Sequence, residues 1–267
     1  MWEPRIPKEI SHWMNQRAWG IHHKVWHYSR RWELDPGMNQ YVLDHGGTRA
    51  GRQEGTPGNG LDFLAMHRNM IRILRHRFPH YCELWQGWDL VPTDPDNPPD
   101  PTDRLPMGAP RLAFNPYELK ALDRLRHSLG GFSDDDDLGL YIETRNQPLP
   151  GNPHHMSSDP TAGIHGYLHA RFSPPVNGCD PDQSVSMGNF LGNLKNQRFW
   201  RLHGWIDTQW SRYRALTGLG EDEPSYQAAL KEQEVPLEEM PMMCVMEAPS
   251  TADADFIRME LRLEDLE

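Results

Sequence analysis

Two histidine pairs at helical spacing constrain this chain more than any other feature. The segment "GIHHKVWH" carries His23 and His27, and "GIHGYLH" carries His165 and His169. Residues four apart share one helix face, with Cβ atoms roughly 5–6 Å apart. Each pair can therefore reach one metal ion at about 2.0–2.1 Å per imidazole nitrogen. A lone histidine in an apolar helical stretch follows each pair: His67 in "DFLAMHRNM", 40 residues after His27, and His203 in "FWRLHGWIDTQW", 34 residues after His169. Taken singly these residues have plainer roles. His203 among tryptophans reads as a hydrogen-bonded core histidine, His23 and His27 as a surface pair, and His67 as the edge of a basic face with Arg68, Arg72 and Arg75. The joint pattern favours two three-histidine half-sites collected inside a helical bundle, each with the open position that metal chemistry needs.

The periodicity predicts a mainly α protein with an antiparallel four-helix bundle core, long irregular loops and a small C-terminal β element. It is read as one domain over residues 1–267. The metal-binding helices fall at about 5–34, 61–78, 160–171 and 190–217, and a C-terminal extension runs over about 220–267. Asn115, Pro116 and Glu118 form a helix start in "NPYELKALDRLRHS". "FIRMELRLE" alternates apolar and charged residues with a period of two, which reads as an amphipathic strand. "VPTDPDNPPDPTDRLP" cannot be helix or inner strand and is read as an ordered excursion over the surface. The acidic run Asp134–Asp137 reads as a solvated loop. His45, His76, His80, His127, His154 and His155 are assigned no role.

Composition excludes several partners. A formal net charge of -11 argues against a nucleic-acid backbone. Mean hydropathy is -0.76 and no apolar run could cross a bilayer, so no membrane partner is expected. The three cysteines are too few and too scattered for a disulfide framework or a CxxC site, and a cytoplasmic location is expected. Ten tryptophans suggest an aromatic-rich core or pocket.

The motifs resemble those of the type-3 copper proteins, which include tyrosinases, catechol oxidases, phenoloxidases and haemocyanins. "GIHGYLH" resembles their two second-copper ligands four apart. "RFWRLHGWIDTQW" resembles the third-ligand helix, with Phe199 before the histidine and Asp207 after it. "GIHHKVWH" with "FLAMHRNMI" resembles the arthropod first-copper region. Bacterial tyrosinases place a ligand nine residues before the third one, a position held here by Gly58. The four segments cover about 60 of the 267 residues. The resemblance implies His23, His27 and His67 around one copper ion and His165, His169 and His203 around the other. Asp207 would orient a ligand imidazole or else pair with a nearby arginine. Gly166 and Phe199 would stand at the substrate pocket, with tryptophans around His203 as a stacking surface.

What the resemblance implies is oxidation of a small phenolic or aminophenolic substrate with O2, in secondary metabolism, by a protein holding two copper ions. A partner that delivers copper is compatible with it. Tyrosinases commonly carry asparagine after the first second-copper ligand, linked to phenol deprotonation; Gly166 stands there, and the sequence places no glutamate beside it, Glu143 being one that could serve. Catechols and ortho-aminophenols are therefore expected to outrun monophenols. The rival within the same resemblance is a haemocyanin-like, cyclopenase-type zinc lyase using His165, His169 and His203. A non-enzymatic oxygen carrier or metal-binding protein is the remaining alternative.

Overall fold

The stretch expected as one helix over 5–34 is broken in two. Ala18 takes the left-handed conformation, φ 52°, at a cost of roughly 1–2 kcal/mol for a residue with a Cβ. Its N–H donates to the Asn15 carbonyl, and its own carbonyl starts the next helix by accepting from His22. Tertiary contacts hold the break. The Trp19 indole donates to the Pro236 carbonyl at 2.7 Å, and the backbone at Gly20 runs against Leu191, where a Cβ would come within 2.8 Å of the carbonyl oxygen.

The computed structural model describes residues 4–94, 97–105, 116–145, 163–173 and 185–238. Within them the protein is mainly helical. α1 (Lys8–Gln16) and α2 (Trp19–Arg30) are followed by α3 (Asn39–Asp44), α4 (Asn59–Arg77), α5 (Pro116–His127) and α6 (Asp135–Leu140). A π turn, Tyr141–Arg145, continues α6. Then come α7 (Ile164–Arg171), α8 (Gln197–Thr217) and α9 (Pro224–Glu232). No strand occurs among the described residues, only an isolated bridge between Arg5 and Asn196. The expected strand "FIRMELRLE" and the Asn115 cap lie outside them. No helix among the described residues is long and apolar enough to cross a membrane.

One hydrophobic cluster draws on α1, α2 and α4 to α9, including Met14, Trp26, Phe63, Leu74, Leu125, Leu138, Leu168, Trp200, Trp210 and Leu230. Each such side chain contributes about 1.5–3 kcal/mol on full burial. α8 begins at Gln197 because the Asn196 side chain accepts from the Arg198 N–H. It ends at Gly218, φ 72°, whose N–H returns to the Arg214 carbonyl, the left-handed stop that glycine adopts without strain.

The acidic run is not a solvated loop. Asp134 caps α6 by accepting from the Asp137 N–H. Asp135 is buried and paired with Arg214 and the Trp210 indole. Asp136 reaches across to accept from the Gly58 and Leu61 N–H groups at 2.8 and 3.0 Å, satisfying donors that the first turn of α4 would otherwise leave open. α4 and α6 approach so closely that a Cβ on Gly139 would lie 2.1 Å from the Gly60 carbonyl oxygen. The proline-rich excursion is pinned where it is described: Trp88 donates to Asp103 at 2.9 Å, and Arg201 pairs with Asp100 and Asp103.

Candidate metal centre

α2, α4, α7 and α8 bring all six histidines into one buried cluster. His23, His27 and His67 form a triangle with ring centroids 4.7, 5.6 and 5.8 Å apart. His165, His169 and His203 form a second with sides of 4.7, 5.2 and 5.5 Å. The triangles meet face to face: His67 stacks on His203 at 4.1 Å, and His27 on His165 at 6.1 Å. The ligand-capable nitrogens of His23, His27 and His67 all lie within 4.8 Å of one another, as do those of His67, His165 and His203.

Backbone carbonyls fix the ring orientations. His67 Nδ1 bonds the Phe63 carbonyl at 2.9 Å, His169 Nδ1 the Met187 carbonyl at 2.8 Å, and His203 Nδ1 the Phe199 carbonyl at 2.7 Å. A carbonyl oxygen only accepts, so each Nδ1 carries the proton and each Nε2 of the neutral ring presents a lone pair. Burial drives the rings toward that neutral form. It lowers His67 to about 3 and His169 to about 4, and takes His23, His27, His165 and His203 well below 6.5.

These lone pairs have little to bond. The Nε2 atoms of His23, His27, His67 and His169 are buried with no hydrogen-bond partner. Those of His165 and His203 face each other at 3.2 Å. Two nitrogens ligating one tetrahedral ion at about 2.0–2.1 Å stand roughly 3.3 Å apart. Orphaned polar atoms of this kind are expensive in a dry core. A metal ion would satisfy such atoms, and each compact triad, His23 with His27 and His67 or His67 with His165 and His203, could hold one. The donor set, neutral imidazole throughout, suits copper and zinc alike.

Beside the cluster lies a cavity of about 20 Å³, lined by His23, His27, His165 and His169 and by Arg31, Glu54, Glu143, Met187, Gly188, Phe190 and Asn193. It has room for a water-sized molecule. Arg31 grips both oxygens of Glu54, at 2.5 and 3.1 Å. Glu143 receives the Asn59 side-chain amide at 2.6 Å. Its pKa is raised well above the usual carboxyl value, first by burial and then by the nearby charge of Glu54. Gly163 lets α7 start against this turn, since a Cβ there would come within 1.8 Å of the Glu143 carbonyl oxygen.

Other expected site residues sit elsewhere. Asp207 holds no imidazole. Its carboxylate takes the Arg68 guanidinium at 2.5 Å, with Arg75 3.6 Å away, so it braces α4 against α8 beside His67. Phe199 is buried behind the rings, 4.0 Å from His203 and 5.2 Å from His23. Gly166 is buried within α7, and neither residue lines the cavity. The tryptophans near His203 are core rather than a stacking surface: Trp200 packs on Trp85 and donates to the Leu194 carbonyl, and Trp210 packs on Tyr226. Arg31, Glu54 and Asn59 had no spacing signal. A scan against models of known protein families finds no match, and a search of curated proteins finds no similar sequence.

Proposed function

We propose that this chain is an oxidoreductase of the type-3 copper kind, holding two copper ions among its six histidines and oxidising a small aromatic ortho-diphenol or aminophenol with dioxygen. The observation that carries this reading is the pair of buried imidazole triangles, four of whose six Nε2 atoms have no hydrogen-bond partner. His23, His27 and His67 would hold one ion, and His165, His169 and His203 the other. Copper bound there supplies reversible electron exchange with dioxygen. In balance, two catechols lose two electrons and two protons each, and one dioxygen becomes two waters.

The protein's own groups have assignable tasks. The carbonyls of Phe63, Met187 and Phe199 keep the rings in their ligating orientation, the usual role of partners around a metal site. Glu143 lines the cavity and can take a substrate proton on its carboxylate, and a pKa raised by burial above the usual carboxyl value suits such exchange. Asn59, on α4, donates its side-chain amide to Glu143 and holds that carboxyl in place. The cavity holds a dioxygen-sized molecule but not an aromatic ring, which needs a pocket of several hundred Å³. Substrate access thus requires the cavity to widen.

Elemental analysis tests the metal assignment: two equivalents of copper per chain are expected, with oxygen uptake on adding catechol. One equivalent that copper cannot raise, or no uptake with any phenol, overturns it. One observation favours a second reading. His67 belongs to both compact triads, so a single zinc ion at His165, His169 and His203 or His67 would act as a Lewis acid. Zinc in the purified protein together with absent oxygen uptake selects it.

A further inference from the structure

The six-histidine assignment draws no metal ligand from one wall of the cavity. Glu54 lies on the connection between α3 and α4, and Glu143 on the π turn. Their carboxylate oxygens and a ring nitrogen of His27 all lie within 4.8 Å of one another. The three residues are 9%, 4% and 2% exposed. His27 Nε2 has no hydrogen-bond partner, and all three line the same small cavity. Two carboxylates this close in a water-poor site repel unless a cation stands between them. Arg31 makes two bonds to Glu54 and, together with Arg30, also attracts Glu143 at longer range. Glu143 is met by the neutral amide of Asn59.

We propose that His27, Glu54 and Glu143 form a binding site for an oxygen-preferring divalent cation of the Mn²⁺ class. Carboxylate ligands suit harder cations, and one imidazole among them moves the preference from Mg²⁺ and Ca²⁺ toward Mn²⁺ and its neighbours. An ion there takes Nε2 of His27 away from His23 and His67. The site goes beyond the copper assignment and competes with it: one residue serves two exclusive arrangements, and the hardness of the available metal selects between them. Arg31 is the resident counter-charge, and an incoming ion shares or displaces it at Glu54.

The test is a Mn²⁺ titration of the chelator-stripped full chain, read by loss of the free-ion electron paramagnetic resonance signal. One Mn²⁺ is expected per chain. Glu143→Gln and Glu54→Gln should each weaken binding at least tenfold, His203→Ala should leave it unchanged, and Arg31→Gln should tighten it severalfold. Circular dichroism identifies any variant that fails to fold. Independently of any variant, loading the wild-type protein with two coppers should abolish Mn²⁺ uptake. Equal uptake by copper-loaded protein, or a His203→Ala loss matching that of Glu143→Gln, overturns the proposal. Failure of this site and failure of the copper reading are separable. Two coppers without Mn²⁺ uptake removes only this inference, and Glu143-dependent Mn²⁺ uptake without copper binding removes only the other.

Discussion

The two histidine half-sites share a motif but not an environment. α7 is enclosed on every side, with all eight residues buried, Arg171 included. Two of its half-site's three rings, His169 and His203, are locked by backbone carbonyls. α2 keeps Gly20, Ile21, His22 and Val25 partly exposed, and His27 stands near Glu54, Glu143 and Arg31. The same spacing thus builds a site with two carbonyl-locked rings from α7 and α8, and from α2 and α4 a site whose His27 stands directly against Glu54 and Glu143. The first should fill with metal more readily, because its ligands are set in place before the ion arrives.

The largest expected effects break this comparison outright. His203→Ala should lower oxidase activity by at least about 10³-fold, as expected for loss of a group on which the chemistry depends. It should remove one metal equivalent while helix content by circular dichroism stays near normal. His23→Ala should leave the second ion bound. Loss of both equivalents from either variant would show that the half-sites are not independent.

Next in size is acid sensitivity of the metal-free protein. The folded pKa of every cluster ring lies below 6.5, so the unfolded chain binds more protons. Stability is then full above about pH 6.5 and drains as pH falls toward the folded values, about 4 for His169 and about 3 for His67. Each ring contributes up to about 1.4 kcal/mol per pH unit. Glu143, Asp103 and Asp135, raised by burial, work in the opposite direction, while His22, lowered to about 4, adds to the six rings. The urea midpoint should therefore fall sharply between pH 7 and pH 5, and a flat profile would show that the rings are not buried neutral.

Gly139→Ala should destabilise by about 3 kcal/mol, the upper range for overpacking, because its Cβ meets the Gly60 carbonyl. The strain falls beside Asn59 and Glu143, so first-site metal should be lost before second-site metal. The smallest effect concerns substrate choice. Glu143→Gln should lower the monophenol rate about tenfold more than the catechol rate, within the usual range for a proton-transfer group. Gly166→Asn should raise the monophenol rate a few-fold. A monophenol rate equal to the catechol rate in the unmodified protein would end the argument from residue 166.

What the sequence reveals divides along chemical lines. The six histidines were legible because spacing on a helix fixes a shared face, and α4 and α8 followed from their apolar period. Glu54 lies in an aperiodic glycine-rich connection, and Glu143 meets Asn59 across 84 residues of sequence, so neither could be placed. Glu143 did leave a trace: a lone carboxylate in "LGLYIETR" is an acid inside an apolar run, and such acids are buried with partners. The run Asp134–Asp137 misleads for the converse reason, since Asp135 finds Arg214 only through tertiary contact across 79 residues. Ala18 carries no local signal for a break, because Trp19 and Gly20 impose it through contacts with Pro236 and Leu191. Asp207 was placed on its helix with two partners left open, a ring or a nearby arginine, and it pairs with Arg68, a choice that only tertiary contact makes.

The π turn at Tyr141–Arg145 bears on how this chain can vary in length. A π turn is a helix carrying a residue more than regular winding needs, and each α-helical residue rotates the chain by about 100°. Deleting Ile142 would let the helix close regularly and swing the carboxylate of Glu143 away from Asn59. Removing one residue, a change that no substitution scan samples, would turn a charged cavity wall into a bare one and leave the six imidazoles on their own helices.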